Sequence, residues 1–154
     1  MPAYNFQPQF VPMILDLSKP HTIRRRRARR PTVPGDMLSL YTGMRTKQCT
    51  LIATSPCVAV EPCLIKPALE EFWIWEDETP DSRFYDDSDP ENPVGSFSLM
   101  ARVNVQALAV KDGFINASQF FFFFRRYKEE VLRDFEIIYW DTLKLINYWE
   151  ARNG

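Results

Sequence analysis

Glycine is scarce in this chain, five residues in 154, and histidine scarcer still, with His21 alone. No G-x-G-x-x-G, G-x-x-x-x-G-K-[ST] or G-x-S-x-G segment occurs. The backbone cradles of dinucleotide and P-loop enzymes and the nucleophile elbow of α/β-hydrolases are therefore absent. One histidine also leaves no H-E-x-x-H zinc helix. Cysteine is limited to Cys49, Cys57 and Cys63, an odd number with seven and five residues between them. That fits neither a disulfide framework nor the short knuckle of a structural zinc site, so three buried, inert thiols in a reducing cytoplasm are expected, with no metal and no cofactor. No apolar run approaches the roughly 20 residues that span a bilayer. The start, "MPAYNFQPQF", lacks the charged and then continuously apolar pattern of a signal peptide. A cytoplasmic protein without membrane contact is the expectation.

What is present has a globular balance, 45% hydrophobic and 25% charged, at the length of a single domain, 1–154. Such a chain can bury a real core and is not of the disordered class. Its charge sums to −1 but is strongly segregated. Arg24, Arg25, Arg26, Arg27, Arg29 and Arg30 fall within seven residues, while residues 70–91 hold ten of the twenty acidic residues against one Arg83. Pro80, Pro90, Pro93 and Gly95 predict that the acidic stretch, about 67–95, is an extended insertion loop. It reads either as a solvating surface or as a cover for the arginines. Phe72, Trp73, Trp75, Phe84 and Tyr85 within it predict that part of it docks.

Strands are predicted over 36–42, 48–60 (a pair or one bent strand), 96–110 and 135–141, from β-branching, alternation or continuous apolarity. Asn116 with Gln119 three residues on predicts a helix start. Phe120, Phe124, Tyr127 and Val131 then form its apolar stripe, and Gly113 takes a positive φ in the turn before it. Residues 10–19 predict a helix with Met13, Ile14 and Leu17 on one face, and 142–152 a short terminal one. This order, without regular βα alternation, predicts an α+β domain around a mixed sheet or small barrel.

"ILDLSKPHTIRR" followed by "VPGDMLSLYTG", with "VKDGFINASQFFFFFRRY" and "FEIIYW" downstream, resembles the ASCH domain family of the PUA-like superfamily. The resemblance covers residues 10–141, with the acidic insert and a 142–154 extension as departures. It implies a small mixed β-barrel with flanking helices and a cleft that presents a basic, polar surface to RNA or a nucleoside. Members most similar in the Lys-x-x-Thr-Ile-Arg segment are amidohydrolases that deacylate acetylated cytidine. Their lysine, threonine and downstream carboxylate fall on Lys19, Thr22 and Asp112. Asp112 is one methylene shorter than the glutamate common at that place. A phage or mobile-element accessory protein fits the same resemblance.

The chemistry is coherent. Thr22 would be the nucleophile, a neutral Lys19 its base, and Asp112 the positioning or proton-shuttling group. Burial or the neighbouring arginines would lower the lysine pKa. Against this, Thr22 also suits a plain strand, Lys19 a snorkelling surface position, and Asp112 a turn before Gly113. The arginine run, with Arg45 and Lys47 extending it, reads as a phosphate-binding surface whose affinity falls steeply with salt. Three functions stay open: an RNA- or nucleoside-binding module, a nucleoside amidohydrolase, and a protein-interaction module acting through residues 70–91.

Overall fold

The computed structural model describes residues 1–76 and 97–150. Among the described residues, eight strands, three α-helices and short 3-10 turns make a mixed α+β architecture. The strands are β1 (Ala3–Phe6), β2 (His21–Arg25), β3 (Met37–Thr42), β4 (Thr50–Lys66), β5 (Glu71–Trp75), β6 (Phe97–Leu99), β7 (Leu132–Trp140) and β8 (Ile146–Asn147). Their hydrogen-bonded path runs β1-β3-β4-β5-β6, with β7 pairing β2 and β4 and β8 pairing β4. That path does not close on itself among the described residues, so the α+β mixed sheet is present without a closed barrel.

The chain divides into two compact units. The first comprises residues 1–22, 27–60 and 138–154. Here β1 lies parallel to β3, Ala3 opposite Ser39, and β3 runs antiparallel to β4 with a register shift between Leu40 and Tyr41. The turn into β3 is built by Asp36, whose side chain accepts the Val33 N–H at 2.9 Å, while Gly35 takes φ +97°. Any side chain is strained at that φ, which accounts for the Pro-Gly-Asp order. Helix α1 covers only Val11–Leu15, shorter than the expected 10–19. The Asp16 carboxylate accepts the Ser18 N–H at 2.9 Å and Leu17 turns to φ +69°, so the local Asx turn stops the helix. The C-terminal stretch holds a 3-10 turn at Thr142–Lys144, capped by Asp141 on the Leu143 N–H, and then β8 on Ala53 and Thr54. Of the terminal helix expected over 142–152, residues 142–144 form the 3-10 turn, 146–147 pair as strand and 149–150 are helical, while 151–152 lie outside the described residues.

The second unit comprises residues 23–26 and 61–137. Strand β5 pairs antiparallel with β4 and with β6. The insert therefore begins as sheet, not loop: Phe72 is fully buried, and paired aromatic positions override the acidic composition. Residues 77–95 of the insert, with most of its acidic groups, lie outside the described residues.

The predicted strand over 96–110 is overturned. Only Phe97–Leu99 is strand; Arg102–Lys111 is helix α2. Val105 and Ala109, four apart, are its buried residues, so a helical period outweighed the β-branching of Val103 and Val105. Its end is a Schellman arrangement: Phe114 N–H reaches Ala109 C=O and Gly113 N–H reaches Val110 C=O, both at 3.0 Å, with Gly113 at φ +99°. Helix α3 follows over Ala117–Phe124, with Asn116 as its cap, and gives way to a 3-10 turn at Arg125–Tyr127. Lys128, at φ +56°, terminates it before Val131. Phe120, Phe121 and Phe124 are buried; Phe120 meets the rings of Phe72, Phe114, Phe121 and Phe124 at centroid distances of 4.9–5.9 Å.

Candidate functional site

In the first unit the segment 19–22 is pinned by its backbone at both ends. The Lys19 N–H donates to Met13 C=O at 3.0 Å, and Pro20 C=O accepts from the Trp140 N–H at 3.0 Å. Lys19, His21 and Thr22 are 2%, 1% and 3% exposed. A surface lysine and a one-face-out strand are both excluded by this burial, since consecutive residues His21, Thr22 and Ile23 are all enclosed. The Lys19 ammonium lies 5.2 Å from the Phe10 ring centroid and 5.7 Å from that of Phe6. Enclosing an ammonium costs heavily, and ring faces at this range offset part of that cost. His21 packs edge-to-face on Tyr139, with centroids 5.2 Å apart.

The arginine run is less of a loop than its composition suggests. Arg24 and Arg25 belong to β2, and in the second unit Arg25 bonds Glu129 at 2.9 Å and Asp134 at 3.2 Å. It also lies over the rings of Tyr127 and Phe135. The Arg26 N–H donates to Asp134 C=O at 2.7 Å. In the first unit the Arg27 guanidinium donates to the Ala3 carbonyl and covers the Tyr4 ring at 4.7 Å. Arg24, Arg26 and Arg27 are half-buried, while Arg25, Arg29 and Arg30 are exposed, Arg25 within its ion pairs. Arg45 and Lys47 are exposed on the turn between β3 and β4, where Gly43, at φ +68°, leaves no room for a Cβ beside the Gln48 carbonyl at 2.8 Å.

Asp112 belongs to the second unit, on the last turn of α2, and is 4% exposed. Lys19 and Thr22 are thus brought together in one unit, with Asp112 in the other. Around Asp112 the sequence reading missed a buried polar group. The Cys63 thiol, fully enclosed on β4, is pushed well up by burial and then by the fields of Glu136, Asp112 and Glu61. Glu136 is 4% exposed. Burial raises its carboxyl to about 7, against a lowering influence from Arg26. Its signal was a single acid inside the apolar run "FEIIYW", in a strand where residues 135–138 are all buried.

Cys57 and Cys63 are buried as expected, while Cys49 is exposed, which corrects the reading of three buried thiols. Among the described residues no group of three or more His, Cys, Asp or Glu is arranged to hold a metal, and no helix is long and apolar enough to cross a membrane. No protein-family model, curated protein or solved structure matches this chain.

Proposed function

We propose that this chain is an ASCH-type, PUA-like module that binds RNA or a modified nucleoside. The observation that carries the reading is the enclosure of Lys19 at the faces of Phe6 and Phe10, on the same short segment as buried Thr22. An ammonium and a hydroxyl three residues apart on one short segment are the donors that a polar base edge would use. In this reading the eight-stranded mixed sheet, open among the described residues, takes the place of the PUA-like barrel. Arg29 and Arg30, with Arg45 and Lys47, supply phosphate contacts that carry affinity without sequence choice.

Two measurements test this. Cytidine and acetylcytidine are titrated calorimetrically into wild type and Lys19→Met, with thermal unfolding as the control for folding. Saturable heat that is lost in the folded variant supports the reading. Fluorescence anisotropy with an RNA oligonucleotide supplies the second arm: Arg29→Ser/Arg30→Ser lowers the slope of log K against log salt by about 1.4, at roughly 0.7 per phosphate on a single strand. No saturable nucleoside heat together with an unchanged slope sinks it.

A second reading, removal of an acyl group from acetylated cytidine, is favoured by the burial of Lys19 and Thr22 on one segment, positions to which the resemblance assigns catalysis. Turnover of acetylcytidine by wild type, lost in Thr22→Val with binding retained, would establish it. Wild-type protein inert toward a panel of acylated nucleosides would end it.

A further inference from the structure

Helix α3 carries five consecutive phenylalanines, and they are not equivalent. Phe120, Phe121 and Phe124 are buried, whereas Phe122 is 71% exposed. The exposed ring leaves most of its apolar surface in water, and its surroundings are cationic. One turn before it, Ser118 accepts from the Arg102 guanidinium of α2 at 3.4 Å. One turn after it come Arg125 and Arg126, both exposed. The Arg126 guanidinium sits over the Phe123 ring, its Cζ 3.7 Å from the centroid, next in sequence to the exposed ring.

Between residues 101 and 128 the cations are Arg102, Lys111, Arg125, Arg126 and Lys128, and the one carboxylate, Asp112, is buried. Of the nearby acids, Glu129 is held by Arg25 at 2.9 Å, Glu70 lies 3.6 Å from Arg102, and Glu130 is exposed past Lys128. Among the described residues this edge of α3 carries more cations than acids, with Phe122 between them.

From this we propose that the exposed edge of α3, formed by Arg102, Ser118, Phe122, Arg125 and Arg126, is a binding platform for single-stranded nucleic acid. An unstacked base lies on Phe122, and the flanking guanidiniums take the phosphates on either side. This is the general recipe of sequence-tolerant single-strand binding: a stacking ring set in a cationic track. An acidic peptide would use the cations but gain little from the ring, so the position of Phe122 favours a nucleic acid. The proposal deepens the RNA-binding reading of the chain and rests on it.

The test uses the full chain and a fluorescein-labelled twelve-nucleotide oligouridylate, followed by anisotropy over a range of salt. Phe122→Ala weakens binding about 5- to 100-fold, the range for loss of one stacked base, and leaves the salt slope unchanged. Phe122→Trp binds at least as tightly as wild type. Arg125→Ser/Arg126→Ser lowers the slope by about 1.4. All of these positions are exposed, and unchanged thermal unfolding confirms folding. Wild-type affinity in Phe122→Ala overturns the platform, as does preference for polyglutamate over the oligonucleotide with the same Phe122 dependence. Loss of binding in Arg29→Ser/Arg30→Ser with none in Phe122→Ala leaves the wider RNA reading standing and removes the platform. The converse pattern keeps the platform and removes the arginine pair.

Discussion

The Asn116 side chain accepts the backbone N–H of Gln119 at 2.8 Å. In return the Gln119 side chain accepts the N–H of Ile115 at 2.6 Å, one residue earlier than a standard capping box would place it. Two N–H groups at the start of α3 are satisfied by this exchange. Asn116→Ala is therefore expected to destabilise the protein by about 0.5–2 kcal/mol, and Asn116→Gly by only a few tenths. Urea unfolding checks it; equal losses for the two variants would show that the side-chain cap is not the cause.

That cap was legible in the sequence because its chemistry is local. The Pro-Gly-Asp turn before β3 and the positive φ of Gly113 were legible for the same reason. Residues 102–111 were not, because Val103 and Val105 alternate like a strand while Val105 and Ala109 also satisfy a helical period; only packing decides between the two. The site residues divide likewise. The spacing of Lys19 and Thr22 is visible in the chain, but their burial depends on distant segments. The pairing of Arg25 with Glu129 and Asp134, more than a hundred residues away, left no local trace.

Two neighbouring phenylalanines should behave oppositely. Phe120 is fully buried among four aromatic rings, so Phe120→Ala is expected to cost about 3–5 kcal/mol through lost burial and the cavity left behind. Phe122→Ala should stay within about 0.5 kcal/mol of wild type, as exposed substitutions do. Comparable midpoints in guanidinium for the two variants would contradict the placement of the α3 face.

The Arg25–Glu129 pair is exposed on both sides, at 40% and 45%. A double-mutant cycle with Arg25→Ala and Glu129→Ala should give a coupling of about 0.2–1 kcal/mol that shrinks in 1 M salt, where the screening length is roughly 3 Å. Because Arg25 is already paired, its replacement should alter the salt slope of RNA binding less than replacement of Arg29. A larger effect from Arg25 would mean that the pair opens for the ligand.

Glu136 gives the chain a pH dependence of defined sign. Its carboxyl is raised by burial to about 7 from an ordinary value of 4.5, with Arg26 opposing the rise and Asp112, Glu61 and Cys63 the other titratable groups of that cluster. Between these two values the folded chain holds a proton that the unfolded chain has released. Stability from this group is therefore present below about pH 4.5 and is lost as pH rises to about 7, beyond which the penalty is constant. Glu136→Gln, which keeps the shape and cannot ionise, should remove this contribution and make the variant more stable than wild type above pH 7. Urea midpoints measured at pH 5 and pH 8 decide the matter. An identical change with pH in wild type and Glu136→Gln would mean that Glu136 keeps its charge in the fold, held by Arg26, and that burial is not the dominant influence on its proton.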